Sequence, residues 1–187
     1  SSDVCSSDLN SYYFHKDDNV ITNKEEVCGD FEKLINLQLK EKHPKSWMRA
    51  FFNMGLINYI EGSRRMLPCQ AGEMNFFVEP YGDIYPCNGL EKKYWKKSIG
   101  NIRETPNFKE IWEGKQAEQV RQMVRRCPKN CWMVGTASPV MHKYIKYPLK
   151  WALKNKLRSL QGKTACLDKC WYNVGQDPSQ GDLRDVF

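Results

Sequence analysis

Apolar residues recur at helical spacing twice near the start of the chain. Val27, Phe31, Leu34, Ile35 and Leu39 line one side of a helix predicted over 23–41. Ahead of it, "TNKE" (22–25) has the Thr-x-x-Glu form of a capping box. "KHPKS" (42–46) interrupts the pattern, because proline and its predecessor both resist the α region. A second helix, 46–61, carries Trp47, Ala50, Phe51, Met54 and Ile57 on one side and stops at Gly62. The period then shortens. Met74–Glu79 and Ile84–Cys87 read as two short strands around "PYGD" (80–83), where proline pre-sets a turn and glycine accepts positive φ. "SIGNI" (98–102) is another extended piece. A helix is predicted from Thr105 as N-cap and Pro106 at the first position, through Ala117, Val120 and Val124, to Arg126. The stretch 138–160 is helical, amphipathic and basic, with a kink predicted at Pro148. "NSYYFH" (10–15) reads as the end of a strand, and the tail from 164 to 187 as loose.

Composition adds boundaries. With 41% hydrophobic residues and 12% aromatics the chain has enough apolar material for a core. No run of about 18 apolar residues is present, which excludes a transmembrane helix of that kind. The net charge of +7 is concentrated: Pro139 to Lys163 holds seven Lys/Arg and no acid. The first reading of this basic segment is a solvated face on a core-packed helix. Contact with a membrane surface or an anionic substrate comes second, and nucleic acid last, for want of a recognised module.

The first nine residues, "SSDVCSSDL", lack both apolar period and a leader-like basic start. They back-translate to AGT TCA GAC GTG TGC TCT TCC GAT CT plus one base, which resembles translated sequencing adapter. On that expectation residues 1–9 are excluded from the fold, the reading frame was cut at its 5′ end, and Cys5 leaves the cysteine arithmetic. Of eight cysteines, seven then remain: Cys28, Cys69, Cys87, Cys127, Cys131, Cys166 and Cys170. An odd count without a secretory signal argues against a disulfide framework and for metal or cofactor ligation in a reducing compartment, hence a cytoplasmic location. Cys28, inside the first helix, reads as a small buried hydrophobe.

Cys69 and Cys87 flank the hairpin, and Cys127 and Cys131 form a Cys-x3-Cys turn after a helix. Four thiolates with no histidine among them suit an iron–sulfur cluster or structural zinc, and the spacing leaves both open. "CLDKCW" (166–171) repeats the Cys-x3-Cys-Trp form of 127–132; it reads as part of a second cluster with partners elsewhere, a metal site between chains or an unstructured pair, and with only Cys28 to spare the second four-thiolate cluster is the least favoured.

"CQAGEMNFFVEPYGDIYPCNG" (69–89), "IGNIRETPNFKEIWEG" (99–114) and "CPKNCW" (127–132) together resemble the auxiliary-cluster region of radical S-adenosylmethionine enzymes, of the SPASM/Twitch type. The resemblance implies a [4Fe–4S] cluster on Cys69, Cys87, Cys127 and Cys131, closer to the one-cluster Twitch form than to the seven-cysteine SPASM form. Four thiolates leave no open iron, so it further implies electron transfer and structure rather than substrate ligation. Amides near Gly82 and Gly89 either donate to cluster sulfurs or serve turn geometry alone. The implied fold class is α+β: residues 10–62 as the end of a partial (β/α)6 barrel, 63–135 as a hairpin-plus-helix cluster domain, 136–163 as a basic helical segment and 164–187 as a tail. The Cys-x3-Cys-x2-Cys motif that would bind S-adenosylmethionine on a second [4Fe–4S] cluster is absent from the chain. The implied enzyme is thus an oxidoreductase or maturase of which this chain, alone, is inactive. Its substrate class would be a peptide, sugar or cofactor precursor, and its electron donor a flavodoxin or ferredoxin. The alternative is a stand-alone iron–sulfur or zinc protein, an electron carrier or binding module.

Overall fold

A computed structural model describes residues 21–63, 65–87, 98–127 and 130–167. Within them lie six helices and a three-stranded antiparallel sheet, an α+β arrangement as expected. The strand expected at 10–15, the tail beyond 167, Cys5, Cys170 and Gly89 fall outside the described residues. Two compact units emerge. One runs from 69 to 127; the other combines 21–68 with 130–167, so the first is inserted into the sequence of the second.

The helical unit opens with α1 (Lys24–Lys40) and α2 (Pro44–Ile60). The predicted capping box does not form: Asn23, not Thr22, is the N-cap, and its amide donates to Glu26 Oε2 at 2.8 Å instead of capping the backbone. Pro44 starts α2 rather than merely ending α1. Its missing N–H falls where a helix has no partner to offer, and His43 Nδ1 accepts from Lys45 N as the cap. Ile35, Leu39, Ala50, Phe51, Met54 and Ile57 are buried as their spacing predicts, whereas Leu34 is turned outward. Gly62, at φ 72°, closes α2.

The long basic helix is in fact two, α5 (Val134–Lys143) and α6 (Lys146–Leu160). In a continuous helix the ring of Pro148 would collide with the carbonyl of residue 144, and Tyr144 is where the first helix ends. Pro148 then sits in the first turn of α6, where no amide donor is needed. Trp132 and Trp151 close the core against Phe51, both edge-on to its ring at 6.4 and 5.7 Å. Lys156 Nζ reaches the end of α1 and donates to the carbonyls of Leu39, Lys40 and Glu41 at 2.8–3.1 Å.

In the inserted unit, β1 (Phe77–Val78), β2 (Asp83–Tyr85) and β3 (Gly100–Asn101) are shorter than the sequence predicts. Phe77 faces Tyr85, and Ile84 faces Val78 on one side and Gly100 on the other. The single predicted helix from Thr105 to Arg126 is instead α3 (Phe108–Glu113) and α4 (Lys115–Arg125). Asn107 outcompetes Thr105: its side chain accepts from Lys109 N and donates to Glu110 Oε1, a reciprocal cap that Thr105–Pro106 cannot make. Gly114 turns extended between the helices, at ψ 160°. The core here is Ala71, Ile84, Tyr85, Ile99, Ile111, Ala117, Val120 and Val124.

Candidate metal centre

Each segment carrying a candidate ligand has a local reason for its shape. After Cys69, the chain tightens through Gln70, whose carbonyl accepts from Glu73 N and Met74 N, while Gly72 N donates to Asn75 O at 2.7 Å. Gly72 has φ 74°, and a Cβ there would stand 3.2 Å from Pro86 Cβ, so both conformation and space call for glycine. Gly82 makes the hairpin turn at φ 92°, and its amide is spent on Glu79 O at 2.8 Å. Of the two roles open to Gly82, the structure supports turn geometry.

The Ile-Gly-Asn motif is a brace. Ile99 N donates to Ile84 O, and Gly100 lets Ile111 approach so closely that a Cβ would lie 2.5 Å from its methyl. Asn101 Nδ2 donates to Tyr81 O and Asp83 Oδ1, and its Oδ1 accepts from Arg103 N, fastening the hairpin turn to β3. Phe108 stacks on Trp112, and Phe76 packs against both.

Arg121, which the sequence reading did not single out, ties these pieces together. It lies four residues after buried Ala117, donates to Gly72 O at 2.8 Å and to Trp112 O, and stands 4.8 Å over the Trp112 ring. One guanidinium thus fastens the Cys69 loop to α3 and to α4, at whose end Cys127 N donates to Val124 O. The signal was present: an arginine on the apolar side of an otherwise amphipathic helix.

Cys69, Cys87 and Cys127 are all half-buried and pack on the rim of this one core. Cys131 belongs to the helical unit and is held there by its neighbours. Trp132, beside it, is 3% exposed, donates Nε1–H to Phe52 O at 2.8 Å and fills the space above Gly55. Buried Arg65 donates to the carbonyls of Leu67, Cys131 and Thr136, and lies 5.7 Å over the Trp132 ring. Sequence reading missed Arg65 as well.

None of the six described cysteines is in a disulfide. The thiols of Cys69, Cys87 and Cys127, partly accessible on the rim of one core, are of the ligand type that soft metals and clusters take. Among the described residues no three His, Cys, Asp or Glu side chains are gathered closely enough to hold a metal ion. Residues 128–129, between Cys127 and Cys131, and 88–97, after Cys87, lie outside them.

Cys28 packs at the edge of the helical core, half-buried rather than buried as expected. Cys166 is pinned on its backbone: N donates to Asn155 Oδ1 at 2.6 Å, and O accepts from Trp151 Nε1 at 3.2 Å.

Residues 69–133 match the family model of SPASM, an iron-sulfur cluster-binding domain. All four candidate cysteines fall inside the SPASM match, with the Ala-Gly turn, the Ile-Gly-Asn brace and Trp132. No curated protein and no solved structure matches the chain. No helix among the described residues is long and apolar enough to cross a membrane.

Proposed function

We propose that the chain is the C-terminal part of a radical S-adenosylmethionine enzyme, with an auxiliary [4Fe–4S] cluster on Cys69, Cys87, Cys127 and Cys131. The observation that carries this reading is the SPASM match, which spans all four cysteines. Such a cluster, when bound, supplies one-electron transfer. The chain's own residues do the positioning. Arg121 and the Gly72 turn hold the Cys69 loop, the hairpin brings the chain round to Cys87, and α4 delivers Cys127. Arg65 and Trp132 fix the backbone on either side of Cys131.

In the intact enzyme, residues 10–62 would close a partial (β/α)6 barrel. A further [4Fe–4S] cluster and S-adenosylmethionine would belong to sequence beyond this chain. The auxiliary centre would close the substrate side, with a peptide, sugar or cofactor precursor as substrate and a flavodoxin or ferredoxin as donor. Anaerobic reconstitution followed by iron and sulfide analysis tests the assignment. About four of each per chain, with broad visible charge-transfer absorption, is the expected result. A colourless protein holding one zinc would overturn it in favour of a structural metal module.

A further inference from the structure

Helix α6 buries Pro148, Trp151, Ala152 and Asn155 against its own unit. A second apolar row on the same helix is uncovered. Leu149, Leu153, Leu157 and Leu160 are 45%, 47%, 62% and 72% exposed. At the angular step of an α-helix these four fall within an arc of about 80°, a ridge about 16 Å long turned away from the buried face. Exposed Lys146, Lys150 and Lys154 run along one side of it. No acidic residue occurs between Glu118 and Asp168.

We propose that α6 is a docking helix for an anionic membrane surface, with the leucine ridge at the acyl boundary and the lysine row on the headgroups. Charge decides the occupant. A cationic flank beside an apolar ridge, on a stretch with nothing to repel phosphate, matches a negatively charged interface. Leucines spaced along a single convex helix demand no complementary shape, which a fluid bilayer accepts, and the lysine stems extend towards the headgroups beside them. The helix lies on the bilayer and does not cross it.

The test is co-sedimentation of the whole chain with phosphatidylcholine vesicles, with and without about one-third phosphatidylglycerol. Wild type should pellet with the anionic vesicles only, and less so when salt rises from about 0.1 M to about 0.5 M. K146Q/K154Q should weaken partitioning about thirtyfold, and L153E/L157E by about a hundredfold or more. Both variants change exposed positions, so unchanged helical circular dichroism is expected of each. Wild type that stays in the supernatant, or pellets equally with neutral vesicles, overturns the proposal. So does retention of binding in L153E/L157E. A dimer that L153E/L157E dissociates, without vesicle binding by the wild type, would assign the ridge to a second copy instead.

Discussion

Gly55 lies in the middle of α2, yet the position has no room for even a methyl group. A Cβ there would stand 2.1 Å from Cε2 and Nε1 of Trp132 and 2.6 Å from Cζ2. Carbon atoms pack at about 3.5–4.0 Å, so in Gly55→Ala the indole must retreat by roughly 1.5 Å. Overpacking of this kind costs about 1–3 kcal/mol. The retreat also breaks the Nε1–Phe52 O bond, leaving a buried donor unsatisfied at about 1–3 kcal/mol. Alanine's better helix propensity returns about 1 kcal/mol. The net loss is about 1–5 kcal/mol, or a drop in Tm of about 2–20 °C for a chain of this size. Gly29, in α1, has nothing within 4 Å of its would-be Cβ. Gly29→Ala should therefore stabilise by about 1 kcal/mol from propensity alone. Thermal melts followed at the helical band compare the two variants directly. A Gly55→Ala melt within a degree or so of wild type, or a Gly29→Ala melt below it, would refute the packing argument.

Arg121→Met keeps the length of the side chain but removes its bonds to Gly72 O and Trp112 O; iron retained after reconstitution should fall below about half of wild type, since ligand affinity depends on such outer supports, while the melt of the helical unit is unchanged. Lys156→Met leaves three carbonyls at the end of α1 without their shared donor, and should cost about 1–2 kcal/mol in urea unfolding. On the proposed ligand set, Cys87→Ala and Cys131→Ala should each abolish iron binding, because each removes one of four thiolates. Cys28→Ala should leave iron content unchanged, and loss of iron in that variant would point to a different ligand set.

What was legible in the sequence was whatever depends on neighbours along the chain. The apolar faces of α1 and α2, the Pro80–Gly82 turn and the order of the cysteine motifs are local patterns, and all appear. Caps were less legible, because Thr22 competes with Asn23 and Thr105 with Asn107; the winner in the second case is decided by a reach back from Glu110. The break before α6 follows from Pro148, but four residues upstream, where its ring meets a carbonyl rather than where the proline stands. Arg65 and Arg121 hid their partners for a different reason, although the place of Arg121 on the apolar side of α4 was legible. Each bonds backbone carbonyls far away in sequence, and no period or spacing encodes such a partner. The assignment of Cys131 to the helical unit was hidden likewise, since it rests on Trp132 finding Gly55 and Phe52.

The insertion of one unit into the sequence of the other bears on how the chain is made. Helices α1 and α2 leave the ribosome with Phe51 and Phe52 uncovered, and the indole that Phe52 binds follows only 80 residues later. At roughly 5–20 residues per second this leaves several seconds in which an apolar surface waits for its cover. The inserted segment, contiguous from 69 to 127, emerges meanwhile and can settle first. Completion of the helical unit then waits on the return of the chain at 130, when Trp132 drops over Gly55 and Arg65 gains the Cys131 carbonyl. A ribosome pausing between 69 and 127 would prolong that exposure, so synonymous changes there should alter the soluble yield of a protein whose amino acids are untouched.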